Sequence, residues 1–217
     1  MKDHVKKRLL RTLVLSVVAL IIGVGVGWFQ VQMRNSVVLK DGASQAKGMQ
    51  IAGLQVGGAF TLNDHNGDKF TQENFAGQYN LIYFGFTYCP AICPTELQKV
   101  SRVMNGLEKE HPELAAQMQP VFVTIDPERD TTAVMKDYIS LFHKRLIGLT
   151  GTVPQIDHMK TIYRVFGRKV FEEGSTEYTM DHSSYIYLMS PEGDLISMYR
   201  TKDTADYIYS DIKEKLL

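Results

Sequence analysis

Tyr79-Asn80-Leu81-Ile82-Tyr83-Phe84-Gly85-Phe86-Thr87-Tyr88-Cys89-Pro90-Ala91-Ile92-Cys93-Pro94 passes from one kind of backbone pattern to another within a few residues. Tyr79 to Phe86 is an almost continuous apolar and aromatic run, the pattern of a strand covered on both faces. From Pro94 onward the period is helical: Leu97, Val100, Met104 and Leu107 fall at i, i+3, i+7 and i+10 and form one apolar face. Both cysteines of the chain lie at the junction, spaced C-x3-C. Pro94 suits the first helical position, where its missing N–H costs nothing. That places Cys93 about at the N-cap and Cys89 in the loop above it. Free N–H groups and the positive end of the helix dipole favour a thiolate there. A lowered thiol pKa serves metal ligation and disulfide exchange equally. A structural disulfide, or two small buried apolar side chains, is the plainer alternative.

Working outward, Ala59–Leu62 and the region of Phe70 predict short strands around the polar turn Asn63–Asp68. Downstream, Val121–Ile125 predicts a second buried strand and Leu146–Leu149 a third. Between them, Thr132–Phe142 predicts a helix with Met135, Ile139 and Phe142 on one side. A third helix is capped by Thr152, carries Pro154 in its first turn, turns Ile156, Met159, Tyr163 and Phe166 inward and stops at Gly167. Lys169–Phe171, a hairpin of Tyr185–Ser190 with Leu195–Tyr199, and a last helix capped by Asp203 complete the chain. Early crossovers and a late hairpin predict an α/β, thioredoxin-like three-layer sandwich with a mixed central sheet.

The chain has 217 residues, and its 24 Lys+Arg balance 24 Asp+Glu. The balance hides an asymmetry, because Lys2, Lys6, Lys7, Arg8 and Arg11 face only Asp3 at the start. The remainder is mildly acidic, which argues against nucleic acid as a partner. Leu13 to Phe29 carries no charge and, with its flanking residues, is long enough to cross about 30 Å of hydrocarbon. Trp28 and Phe29 suit the headgroup level, and the basic cluster before the span keeps the N-terminus cytoplasmic. The run is long for a signal-peptide core, and no small-residue cleavage site follows Trp28. The expected organisation is a basic tail (1–11), a single transmembrane anchor (12–29), a tether (30–56) and a folded domain (57–217). The expected location is a bacterial inner membrane with the domain in the periplasm.

Two thiolates select a soft metal such as Cu(I), and one imidazole would complete a trigonal site. Of six histidines, His4 lies in the basic tail, and His65, His111, His143 and His158 read as solvated surface groups. His182, in Met180-Asp181-His182-Ser183, immediately precedes the strand predicted at Tyr185. In a thioredoxin-like sheet the segment entering that strand lies against the cysteine loop. Met180 is a weaker alternative ligand. Asp126 and Asp181 are the carboxylates expected to hold an imidazole N–H and fix its tautomer.

These residues resemble the SCO/SenC family of membrane-anchored copper chaperones for cytochrome c oxidase assembly. The likeness is carried by Tyr83–Pro94, Asp126-Pro127-Glu128-Arg129-Asp130-Thr131, Leu149-Thr150-Gly151-Thr152 and Asp181-His182-Ser183. It implies a thioredoxin-like domain that binds copper through Cys89, Cys93 and His182. It further implies supply of that copper to the dinuclear copper site of oxidase subunit II, or preparation of that site's cysteines, with a thiol reductant as second partner. Tyr88 stands where many relatives carry His, which leaves the three donors untouched. A thiol-disulfide reductase using Cys89 and Cys93 as its redox pair is the second hypothesis. A peroxidase is the third, weakened because no arginine matches Thr87 and Cys89.

Overall fold

The computed structural model describes residues 56–171, 174 and 177–217. All of them belong to one unit, Gly48–Leu217. The basic tail, the predicted anchor and nearly all of the tether lie outside the described residues. Among the described residues, no helix is long and apolar enough to cross a membrane.

The aromatic run becomes β3 (Tyr79–Gly85), with every residue after Tyr79 buried. Beside it, parallel and in register, lies β4 (Met118–Thr124), with Tyr83 opposite Phe122 and Gly85 opposite Thr124. Next to β4, also parallel, runs β5 (Ile147–Thr150). The hairpin β1 (Thr61–Asp64) and β2 (Lys69–Thr71) extends this side antiparallel. On the other side β8 (Tyr185–Met189) pairs antiparallel with β3, and β9 (Leu195–Arg200) pairs with β8. The seven-stranded order is β2-β1-β5-β4-β3-β8-β9, the mixed sheet of a thioredoxin-like α/β sandwich.

Helix α1 (Ile92–Glu110) buries Leu97, Val100, Met104 and Leu107, the face read from the periodicity, at roughly 1.5–3 kcal/mol for each large side chain. A five-residue helix, α2 (Pro112–Ala116), turns the chain back into β4. Two further helices, α3 (Thr132–Ile139) and α4 (Val153–Ile162), follow β4 and β5 in turn. The last helix is α5 (Ala205–Leu216). Tyr83 and Phe122 stack on the sheet face that also meets Tyr138 of α3. Phe84, pointing the other way, meets Tyr163 at the end of α4 and Tyr187 of β8.

Several expected boundaries move. Helix α1 begins at Ile92 with Ala91 as its cap, so Cys93 is the second helical residue rather than the cap, and Pro94 the third. Pro94 is still tolerated, because N–H groups of the first turn have no intrahelical partner. The α3 helix stops at Ile139, short of Phe142. Helix α4 ends at Ile162, not Gly167, because Arg164 takes φ 57 and the Val165 N–H closes back on the Lys160 carbonyl. Phe166 is therefore exposed, and Gly167 opens a strand. Thr204, not Asp203, caps α5; its hydroxyl accepts the Tyr207 N–H, while Asp203 accepts the Arg200 N–H. Val56, assigned to the tether, is buried in the core.

Two features were not anticipated. Strands β6 (Gly167–Phe171) and β7 (Tyr178–His182) form an antiparallel hairpin outside the main sheet, so His182 ends a strand instead of lying in a loop. His143, read as a surface group, is buried; its Nδ1 accepts the Arg145 N–H and its Nε2 faces Glu108.

Candidate metal and thiol site

Parallel pairing of β3 and β4 brings both strand ends to one edge of the sheet, where the Ile125 N–H donates to the Gly85 carbonyl at 2.8 Å. The cysteine loop leaves β3 there. It is pinned by Asp130, whose fully buried carboxylate accepts the Thr87 N–H (3.1 Å) and the hydroxyls of Thr87 (2.6 Å) and Thr124 (2.6 Å). Burial raises the Asp130 pKa against the lowering effect of these donors.

The two cysteines are free thiols with unequal environments: Cys93 is buried and Cys89 half-buried. The Cys93 N–H in the first turn of α1 donates to Cys89 Sγ at 3.4 Å. Hydrogen bonding from the Cys93 thiol, with help from backbone N–H groups, holds Cys89 well below the ordinary thiol range. The same pairing, together with burial, pushes Cys93 up. The pair thus keeps one shared proton, with the negative charge on the accessible sulfur. Such inequality is the general requirement of a reactive dithiol.

His182 arrives from the far end of the chain. Because β8 runs antiparallel to β3, its first residues stand beside the end of β3, and the preceding His182 reaches the cysteines. Its Nε2 lies 3.7 Å from Cys93 Sγ. Its Nδ1 lies 2.8 Å from the Ser183 carbonyl, which leaves Nε2 without a proton in the neutral ring and so able to bind a metal or accept from a thiol. The ring packs edge-on to Phe86, with centroids 5.8 Å apart.

The three residues are neighbours, yet no three His, Cys, Asp or Glu side chains among the described residues form a ready metal cage. Neither predicted carboxylate meets the imidazole. Asp126 is paired with Arg129 and accepts the Tyr178 hydroxyl at 2.8 Å. Asp181 is half-exposed and faces Arg168 at 3.4 Å, because alternation along β7 turns it away from the His182 side. The backbone carbonyl of Ser183 takes the place expected of them. Met180 is buried in the core.

Sequence reasoning passed over Tyr83, Gly85, Arg129 and Tyr178. The Tyr83 hydroxyl lies 3.6 Å from Cys93 Sγ. A Cβ on Gly85 would stand 2.8 Å from that sulfur, so only glycine leaves room for it. Tyr83 and Gly85 alternate on the strand face that meets α1, a signal the sequence does contain; nothing in it pairs Arg129 with Tyr178. Outside the dithiol, a cleft of about 450 Å³ lined by Phe166, His182, Tyr185, Arg200 and Lys202 gives access to the imidazole. Tyr88 and Ile92, beside the two cysteines, are exposed.

The SCO1/SenC family profile matches residues 48–217. The mouse protein described as "Protein SCO2 homolog, mitochondrial" is 39% identical over 195 residues, covering 89% of this chain and 75% of that one. Among solved structures, that of Bradyrhizobium japonicum ScoI with copper bound is similar at TM-score 0.67 and 40% identity, over 74% of this chain and 99% of that one. Arabidopsis thaliana ScoI with copper bound is similar at TM-score 0.68 and 36% identity, over 73% and 96%.

Proposed function

This chain belongs to the SCO1/SenC family of copper chaperones for cytochrome c oxidase assembly, and from that premise we propose that it carries one Cu(I) on Cys89, Cys93 and His182. The observation that supports the reading best is the approach of His182 Nε2 to 3.7 Å from Cys93 Sγ, across 89 residues of sequence. With the roughly 2.3 Å (sulfur) and roughly 2.0 Å (nitrogen) lengths of zinc sites as a guide, two donors of one ion stand about 3.5–3.7 Å apart. The proton held between the sulfurs leaves as the metal enters, so loading is favoured by rising pH. Cys89, the more exposed member, is where copper arrives and departs by exchange with a partner's thiolates. The partner we assign is subunit II of the oxidase, with a thiol reductant keeping the pair reduced. Residues 12–29 anchor the chain in the inner membrane, and the domain works in the periplasm.

The unequal thiols also favour a second reading, reduction of a partner's disulfide, with Cys89 attacking and Cys93 resolving. One set of variants separates the two. With the reduced full chain, competition against a Cu(I) chelator should give one copper per chain. Each of Cys89→Ala, Cys93→Ala and His182→Ala should weaken binding by more than the roughly 10–100-fold seen when a ligand merely loses its supporting hydrogen bond. Parental affinity in His182→Ala would remove the imidazole from the site. Disulfide reduction unaltered by that substitution would favour the reductase.

A further inference from the structure

The imidazole rides on an element that the main sheet does not hold. Among the described residues, strands β6 and β7 pair only with each other, and a lone two-stranded hairpin is marginal in water. Half of its residues are exposed and, among these ten, Met180 alone is buried. Rotation about the two residues that follow, Ser183 and Ser184, would carry His182 away from the cysteines.

What ties the hairpin down is Tyr178, four residues before His182. Its hydroxyl donates to Asp126 Oδ1 at 2.8 Å, and its carbonyl accepts from Arg129 Nη1 at 2.9 Å. Its ring lies 3.9 Å from Arg129 Cζ on one side, and Lys169 Nζ lies 4.5 Å from the ring centroid. Lys169 is itself paired with Glu128. Asp126, Glu128 and Arg129 all follow β4 directly, so the hairpin is fastened to the end of a central strand.

Arg129 also reaches the other half of the site. Its Cζ is 4.9 Å from the ring centroid of Tyr88, next to Cys89, and 5.9 Å from that of Phe86, on which His182 packs. Its Nε is spent on Asp126, and its Nη2 is buried with no hydrogen-bond partner among the described residues. A guanidinium in that position is committed to the aromatic faces around it. Arg129 thus touches both the Tyr88 ring beside Cys89 and the strand bearing His182.

We propose that Arg129, with Asp126 and Tyr178, is a clamp that registers the His182 imidazole against the dithiol and raises copper affinity only through that imidazole. The proposal rests on His182 being a ligand. Asp126, expected to hold the ring directly, acts on it four residues away through Tyr178. These are positioning residues, and a merely structural role predicts a different result in one experiment.

The reduced full chain is assayed by Cu(I) chelator competition and by X-ray absorption for imidazole scattering. The copper-free chain is assayed by amide exchange over 178–182. Arg129→Met should lower Cu(I) affinity about tenfold, within the range for groups that orient a ligand. It should also weaken the imidazole signature and speed exchange in β7 before any metal is added. In the His182→Ala background the same substitution should change copper affinity no further, because the clamp then has nothing to place. Parental affinity in Arg129→Met, or losses that add in the double variant, would overturn the proposal. If His182→Ala alone binds as tightly as the parent, the ligand assignment fails and takes the clamp with it. Should Arg129→Met not fold, Tyr178→Phe removes one hydroxyl only. It should give a several-fold loss that vanishes in the same background, and an additive loss there is equally fatal.

Discussion

Gly85→Ala is a one-carbon change aimed at the packing between β3 and the first turn of α1. A Cβ at this position would lie 2.8 Å from Cys93 Sγ, 3.0 Å from Phe122 Cε2 and 3.0 Å from Tyr83 Cε1. Apolar heavy atoms rest at about 3.5–4.0 Å, so three neighbours would each have to retreat by roughly half an ångström or more. The two rings are stacked, fully buried core groups. The sulfur is the softest of the three and must move most. Overpacking of this kind costs about 1–3 kcal/mol, offset by ~0.5–1 kcal/mol from the reduced backbone entropy of alanine. The net loss, up to about 2.5 kcal/mol, lowers Tm by up to about 5–10 °C for a domain of this size. Moving the sulfur also disturbs its contacts with Tyr83 and His182, so Cu(I) affinity should fall alongside. Gly148→Ala is the control. Its Cβ would press at 3.1 Å on Met135 and Ile139, away from the cysteines, and should spare copper binding. Thermal melts and chelator competition on the three proteins decide the matter. A Gly85→Ala chain that melts with the parent and binds copper equally well would refute the packing argument.

Two further outcomes follow from the titrating groups. Because the Cys93 thiol holds the Cys89 pKa well down, alkylation of Cys89 should vary little between about pH 6 and 8, whereas Cys93→Ala should restore the steep rise of an ordinary thiol near its usual pKa; mass spectrometry of the labelled chain checks both, and a steep rise in the parent would contradict the shared-proton description. Burial lowers the His143 pKa below its usual 6.5, so the unfolded chain binds more protons as the medium acidifies. The stability it contributes is complete above 6.5 and is lost as pH falls through the lowered value. Urea unfolding at pH 7.5 and 5.5 should therefore show a loss that His143→Gln reduces, and an equal loss in both chains would exclude His143 as the cause.

Much of the layout was readable because it is written in local patterns. A strand buried on both faces needs an unbroken apolar run, and Tyr79–Phe86 supplies one. A helix packed along one face needs apolar residues every three or four positions, and Leu97 to Leu107 supply them. Thr152 with Pro154 marks a helix start by capping chemistry alone. Lys169–Phe171 was legible, but its pairing with Tyr178–His182 was not, because only Met180 is buried along the two strands; they are held by each other and by Tyr178 rather than by a broad buried face. Helix α4 ended early because Arg164 adopts a left-handed conformation that composition assigns to Gly167.

The chemistry divides along the same line. Residue types and spacing alone picked out two thiols at a strand-to-helix junction and one histidine before the last hairpin, since donor identity and local position are properties of the chain. Which sulfur keeps the proton, why position 85 tolerates only glycine, and how a tyrosine and an arginine 49 residues apart come to fasten the imidazole's strand were decided by tertiary structure. Burial, close approach and ring stacking exist only once distant segments share the same space.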